Sequence, residues 1–244
     1  MGTMDFISDT TSNGVSERLF TVGDIPGVLW TPGGAAGGLP LVLMGHGGGG
    51  HKKAEHLVTR ALGLAAAGFA VAAIDAPGHG GRPRTADDER LIADARARIA
   101  AGEPMAPLAA HLNEVMAARA VPEWQATLDA LQKVGFDGPV GYSGLSMGTG
   151  IGVPFVAGEP RIAAAIFGLA GGESLAETAA RITVPIQFLL QWDDQLVSRE
   201  LGFALFDAFA SREKSLHANP GPHAAIPEYE LDSSMRFFAR HLMS

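Results

Sequence analysis

The chain has 244 residues, 47% hydrophobic and 18% charged, with a formal net charge of −8. That balance suits a globular protein long enough to bury a large core in one α/β domain, and its acidity argues against a nucleic-acid partner, which would need a basic face. The absence of cysteine excludes disulfides, thiolate metal sites and a cysteine nucleophile.

The first twenty residues, MGTMDFISDTTSNGVSERLF, are polar and acidic. They lack the basic region and apolar run of a secretory signal. No stretch approaches the roughly 18 apolar residues of a membrane span. The expectation is a soluble, cytoplasmic protein without a membrane partner. ERLFTVG and PGVLWTP, separated by DI, read as an antiparallel pair opening a sheet. TPGGAAGG (31–38) is a flexible hairpin loop.

Five near-continuous apolar runs follow, at 39–47, 68–80, 138–146, 161–171 and 184–192. Runs of that kind are strands covered on both faces, as in a parallel sheet. Helical patterns separate them. Residues 53–68 end in a capping glycine, Gly68. Residues 122–135 begin at Pro122, a first-turn proline, and end at Gly135. Further helices are expected at 198–211 and 227–242. Strand–helix alternation predicts a doubly wound, mostly parallel sheet with helices on both faces. Residues 82–121 do not fit the alternation. Thr85 and Asp88 resemble a capping box, and two short helices are expected there as an insertion or lid; a solvated surface arm is the alternative.

The chemistry centres on PVGYSGLSMGTGIG (139–152), which holds two serines. A nucleophile at a tight strand-to-helix turn needs residues without side chains two before and two after it. Ser146 has both, Gly144 and Gly148. Ser143 has Gly141 before it and Leu145 after it, so it fails the test and is expected to be a buried hydroxyl bonded locally. A serine hydroxyl needs a base, and the base an orienting acid. In this arrangement they follow in the order Ser, Asp/Glu, His. QWDDQLVS places Asp193 and Asp194 at the end of a strand, where functional groups of α/β sheets lie. His223, after a Gly-Pro pair and before the last helix, is the expected base; His217, within a strand-like run, is expected to be structural.

An oxyanion hole would use the N–H of Met147, just after the nucleophile. Its second donor is expected from the loop GHGGGGHKK, where glycines let the backbone approach the substrate. Gly48 is the first choice and Gly47 the second. The same loop fails as a phosphate-binding P-loop, because His51 stands where lysine is required. His46, His51 and His56, five residues apart, match no familiar metal-ligand pattern. His46 is expected to be buried and to order the loop, and Asp75 and His79 to shape the turn after their strand. Arg82 and Arg84 could meet an acidic substrate, though a solvated role is favoured.

Taken together, LVLMGHGGGG, AAIDAPGHGGR, GLSMG, DDQLV and GPH resemble, in order, the α/β-hydrolase superfamily over roughly residues 17–244. The branch most resembled is that of the dienelactone hydrolases and prolyl-oligopeptidase-like enzymes. Its acid often lies in a segment like G-x-x-D-x-x-V-P; alignment on Val197 implies Asp194, with Ser198 where proline is usual and Gln191 where glycine is. Dienelactone hydrolases proper use cysteine, which this chain lacks. The resemblance implies a serine hydrolase acting on small-molecule carboxylic esters through an acyl-enzyme, with no cofactor. Thioester, lactone or amide cleavage and acyl transfer share the same triad, and a non-catalytic binding protein is the rival from another class. The oligomeric state is open, a homodimer included.

Overall fold

The computed structural model describes residues 2–35, 37–103 and 105–243. Nine strands form one sheet in the order β1-β2-β3-β5-β4-β6-β7-β8-β9. Strands β4 (Leu41–Gly45), β5 (Ala70–Ile74), β6 (Val140–Gly144), β7 (Ile162–Gly168), β8 (Ile186–Gln191) and β9 (Lys214–Asn219) are parallel. Leu41 to Met44 and all of β5 are buried, as continuous apolar runs require when both faces are covered. On one face pack α1 (Glu55–Ala66) and α7 (Tyr229–Leu242); on the other lie α3 (Ala106–Lys133), α4 (Met147–Gly158), α5 (Glu173–Ala179) and α6 (Arg199–Ala208). The doubly wound expectation holds.

The antiparallel edge is longer than expected. Besides β2 (Val15–Val22) and β3 (Ile25–Pro32), residues Met4–Ser12 form β1. Its turn is Asn13-Gly14, both at positive φ (50° and 76°). Asn-Gly is the strongest two-residue hairpin signal, and polar composition hid it: β1 is an edge strand whose residues are mostly exposed.

The helix expected to start at Pro122 does not start there. It is the second half of α3, which runs 28 residues with Pro122 inside it. One buried stripe, Met116, Ala120, Trp124, Leu128 and Leu131, continues through the proline. An interior proline costs about 3 kcal/mol, and two or three fully buried large side chains offset that at about 1.5–3 kcal/mol each. The segment 82–121 therefore holds α2 (Ala86–Ala101) and the first half of α3. The Thr85–Asp88 capping box is present, with Asp88 N–H donating to Thr85 Oγ1 (3.1 Å) and Thr85 N–H to Asp88 Oδ2 (2.8 Å). Helix α5 had no counterpart among the expected elements. Gly68 (φ 99°) and Gly135 (φ 98°) both close Schellman motifs, with Phe69 N–H reaching Leu64 O and Phe136 N–H reaching Leu131 O, each at 3.1 Å.

Candidate active site

After β4 the chain goes to β5 on one side, then returns to β6 on the other. That reversal opens a crevice at the strands' carboxyl ends. Gly45 of β4 and Gly144 of β6 are register partners there, so the glycine loop and the Ser146 turn emerge side by side.

Ser146 has φ 57° and ψ −120°, a conformation side chains rarely adopt. Its neighbours explain how it is held. A Cβ on Gly144 would lie 2.4 Å from Gly148 O; one on Gly148 would lie 2.8 Å from Gly45 O. The Ser146 N–H donates to Gly168 O (2.9 Å) and the Tyr142 hydroxyl to Gly148 O (2.7 Å). Thr149 Oγ1 accepts Gly168 N–H (2.9 Å) and lies 2.8 Å from Gly144 O. Backbone contacts from β4, β6 and β7 thus surround the turn and sustain its strain.

Ser146, His223 and Asp194 come together. His223 Nε2 is 2.9 Å from Ser146 Oγ, and Nδ1 is 2.6 Å from Asp194 Oδ2. A carboxylate only accepts, so Nδ1 carries the proton and Nε2 is free to accept the serine's. Asp194 Oδ1 accepts the N–H groups of Leu196 (2.7 Å) and Val197 (3.0 Å). Burial alone would push this carboxyl's pKa up; the hydrogen bonds from His223, Leu196 and Val197 outweigh it and hold the pKa below the usual carboxylate value. Asp193 turns to the surface, where Oδ2 accepts Gly221 N–H at 3.0 Å.

Met147 is the first residue of α4, where N–H groups lack intrahelical acceptors. Gly47 and Gly48 both line the crevice. A Cβ on Gly47 would lie 4.0 Å from Ser146 Cβ, and one on Gly48 4.0 Å from Met147 Cβ. His46 orders the loop: its Nδ1–H donates to Gly47 O (2.9 Å) and its Nε2 accepts Ala76 N–H (3.0 Å), tying the loop to the end of β5. Burial lowers its pKa to about 4, so the ring stays neutral. Asp75, fully buried, accepts Lys52 N–H (2.8 Å) and Lys52 Nζ–H (2.6 Å). His79 closes its own turn through Pro77 O (2.9 Å). Among the described residues no three His, Asp or Glu side chains gather as a metal site.

Other expectations need correcting. Arg82 is neither solvated nor facing the crevice; its guanidinium forms a bidentate pair with Glu123 and also bonds Asp75 O (3.2 Å). Ser143 does not bond locally: its Oγ accepts from Arg60 Nη2 (3.0 Å), 83 residues away. His217 is structural, held by Glu230 (2.9 Å).

The sequence marks Gln191 only as a departure from glycine and gives it no role. Its buried amide nitrogen lies 2.6 Å from Ala225 O and 3.4 Å from both Pro220 O and Pro222 O, spanning the loop that carries His223. The signal was its place at the end of an apolar run, where glycine was expected. Arg60 was also missed, although it stands between Leu57 and Leu64 on the helix's apolar stripe.

Ser146 and His223 open on a cavity of about 650 Å³. Leu91, Ile92 and Ile99 of α2 and Leu112 and Met116 of α3 line it together with Gly47 and Gly48 of the glycine loop. Among the described residues no helix is long and apolar enough to cross a membrane.

No protein-family model and no curated protein sequence matches the chain. Solved structures do. A cold-adapted esterase from an Arctic intertidal metagenomic library, solved with bound PEG, is 35% identical, with a TM-score of 0.80 over 96% of this chain and 97% of that one. The acetyl xylan esterase of Paenibacillus sp. R4 is 16% identical, with a TM-score of 0.72 over 99% of this chain and 89% of that one. Acetyl xylan esterase 1 of Thermoanaerobacterium sp. JW/SL YS485 is 15% identical, with a TM-score of 0.70 over 98% and 88%. The latter two share the fold.

Proposed function

The chain belongs to the α/β-hydrolase superfamily, and from that premise we propose that it is a serine hydrolase cleaving carboxylic esters through an acyl-enzyme. One observation carries the reading: the hydrogen-bonded chain Asp194–His223–Ser146 opens on a cavity sized for a small molecule. The 35%-identical structure is that of an esterase, which supports an ester as the substrate.

In this mechanism Ser146 Oγ attacks the ester carbonyl while His223 Nε2 takes its proton. Asp194 keeps the ring in the productive tautomer and stabilises the imidazolium. The N–H groups of Met147 and Gly48 receive the developing oxyanion. His223 then protonates the departing alcohol oxygen. A water, deprotonated by His223, attacks the acyl carbonyl; the Ser146 Oγ–acyl bond breaks, His223 returns the proton to Ser146 Oγ, and the acid leaves. Helix α2 and the first half of α3 serve as a lid, their apolar side chains receiving the substrate's carbon skeleton and excluding water from the acyl-enzyme.

A fluorophosphonate probe should label Ser146, and Ser146→Ala should abolish p-nitrophenyl acetate hydrolysis. Hydrolysis that survives Ser146→Ala but disappears in Ser143→Ala would overturn the assignment.

A further inference from the structure

Arg60 occupies an unusual place for a cation. It lies in α1 on the stripe of buried Leu57, Ala61 and Leu64, where a helix of this kind presents apolar residues to the core. The side chain is half-buried, and even partial burial of a guanidinium without a counter-charge is costly. Yet among the described residues no carboxylate forms an ion pair with it. Its Nη2 donates to Ser143 Oγ (3.0 Å). The negative group acting on it is Glu230, whose oxygens are taken by His217 (2.9 Å) and Asn219 (3.0 Å). Burial brings the Arg60 pKa down to about 10, with Glu230 opposing, so the side chain is charged at neutral pH. A guanidinium has five N–H donors, and Arg60 borders the cavity that holds Ser146.

The rest of that cavity is short of negative charge, although the whole chain carries −8. Arg84 and Arg96 also border it. Asp88 is the only carboxylate among its described lining residues, and Arg119 (2.6 Å) and Thr85 N–H (2.8 Å) already hold it. Arg84 is engaged with Gly78 O (3.1 Å) and Glu89 (3.4 Å), and Arg96 is exposed at the rim. Among the described lining residues, Arg60 is therefore the cation that is half-buried against the apolar wall and forms no ion pair with a carboxylate.

We propose that Arg60 is an anion subsite and that the ester this protein accepts carries a carboxylate, which Arg60 binds while Ser146 attacks the ester carbonyl. The proposal rests on the esterase reading above. Ser143, the residue Arg60 touches, precedes Ser146 by three positions. At about 3.3 Å per extended residue the two serines are no more than roughly 10 Å apart, and Arg60 and Ser146 border one cavity, so anion and ester carbonyl are held within its span. That spans a short dicarboxylic acid esterified at one end, or a carboxylated aromatic alcohol.

Two matched pairs separate these cases. The first is p-nitrophenyl hydrogen adipate against its neutral terminal amide, with the charge on the acyl side. The second is 4-acetoxybenzoate against 4-acetoxybenzamide, with the charge on the alcohol side. The unmodified protein should prefer the carboxylate in kcat/KM for one pair. Arg60→Met should cut that preference about 10- to 100-fold, the range for a hydrogen bond to a charged group; Arg60→Lys should keep part of it. Neutral preference in both pairs, or equal loss by both members in Arg60→Met, overturns the subsite and leaves the esterase reading standing. If none of the four esters is cleaved, the esterase reading falls. Calorimetry of adipate and adipamide with the unmodified protein then decides the subsite without turnover or any variant: tighter binding of adipate supports it, and binding no tighter than adipamide overturns it.

Discussion

Replacing Asp194 by Asn changes one oxygen into an NH2 and leaves the shape nearly intact. The carboxylate now accepts three hydrogen bonds, from His223 Nδ1 at 2.6 Å and from the N–H groups of Leu196 and Val197 at 2.7 and 3.0 Å. An Asn amide has one accepting oxygen. If that oxygen faces the two backbone donors, the NH2 faces His223 Nδ1. The imidazole must then move its proton to Nε2, which points at Ser146 and can no longer accept the serine's. If the oxygen faces His223 instead, the NH2 confronts two N–H donors in a buried site. The first arrangement leaves fewer donors opposed and should win. It should lower kcat about ten-thousand-fold, or about 5.5 kcal/mol of transition-state stabilisation, while the thermal midpoint moves little. Asp193 supplies the comparison. Its oxygen accepts one exposed bond, from Gly221 N–H at 3.0 Å, which an Asn oxygen can keep, so Asp193→Asn should lose less than about threefold. Steady-state kinetics on p-nitrophenyl butyrate reads both. A greater loss in Asp193→Asn, or an Asp194→Asn enzyme within tenfold of the unmodified protein, would refute the reasoning.

Other outcomes follow from the loops around the serine. His46, with a folded pKa lowered from 6.5 to about 4, stays neutral while the unfolded chain's His46 takes up a proton. Its contribution to stability is present above pH 6.5 and is lost as pH falls toward 4. At 1.36 kcal/mol per pH unit that amounts to about 3 kcal/mol. Urea unfolding between pH 7 and 4 should show this acid loss reduced in His46→Gln; equal slopes in the two proteins would contradict it. Gly144→Ala would put a Cβ 2.4 Å from Gly148 O and 2.6 Å from its carbonyl carbon, both backbone atoms that cannot swing away. It should cost about 3 kcal/mol or more. Gly81→Ala, with nothing within 4 Å of the added carbon, should melt within a few degrees of the unmodified protein. Equal melting of the two alanine variants would show that the turn is less tightly held than the contacts imply.

Much of the architecture was legible because its causes are local. Strands covered on both faces need continuous apolar runs, and the runs at 39–47 and 68–80 contain β4 and β5. Glycines at helix ends need a left-handed conformation, and Gly68 and Gly135 adopt it. Misreadings arose where long-range burial overrode a local signal. Pro122 ordinarily starts a helix, but the stripe from Met116 to Leu131 extends across it. The polar residues of β1 concealed a strand because edge strands carry charge and hydroxyls on their open side.

At the site, the sequence alone determined which serine can occupy the turn. The constraint is steric and acts over two residues either way, so Gly144 and Gly148 select Ser146 without reference to the rest of the chain. It could not choose by spacing between Asp193 and Asp194. Adjacent side chains leave a strand end in different directions, and only the turn that brings Leu196 and Val197 N–H groups to one carboxylate aims Asp194 at His223. Nor could it join Arg60 to Ser143 across 83 positions, or bring α2, α3 and the glycine loop around one cavity. Those relations depend on how helices pack over a sheet, and packing couples residues by distance in space rather than along the chain.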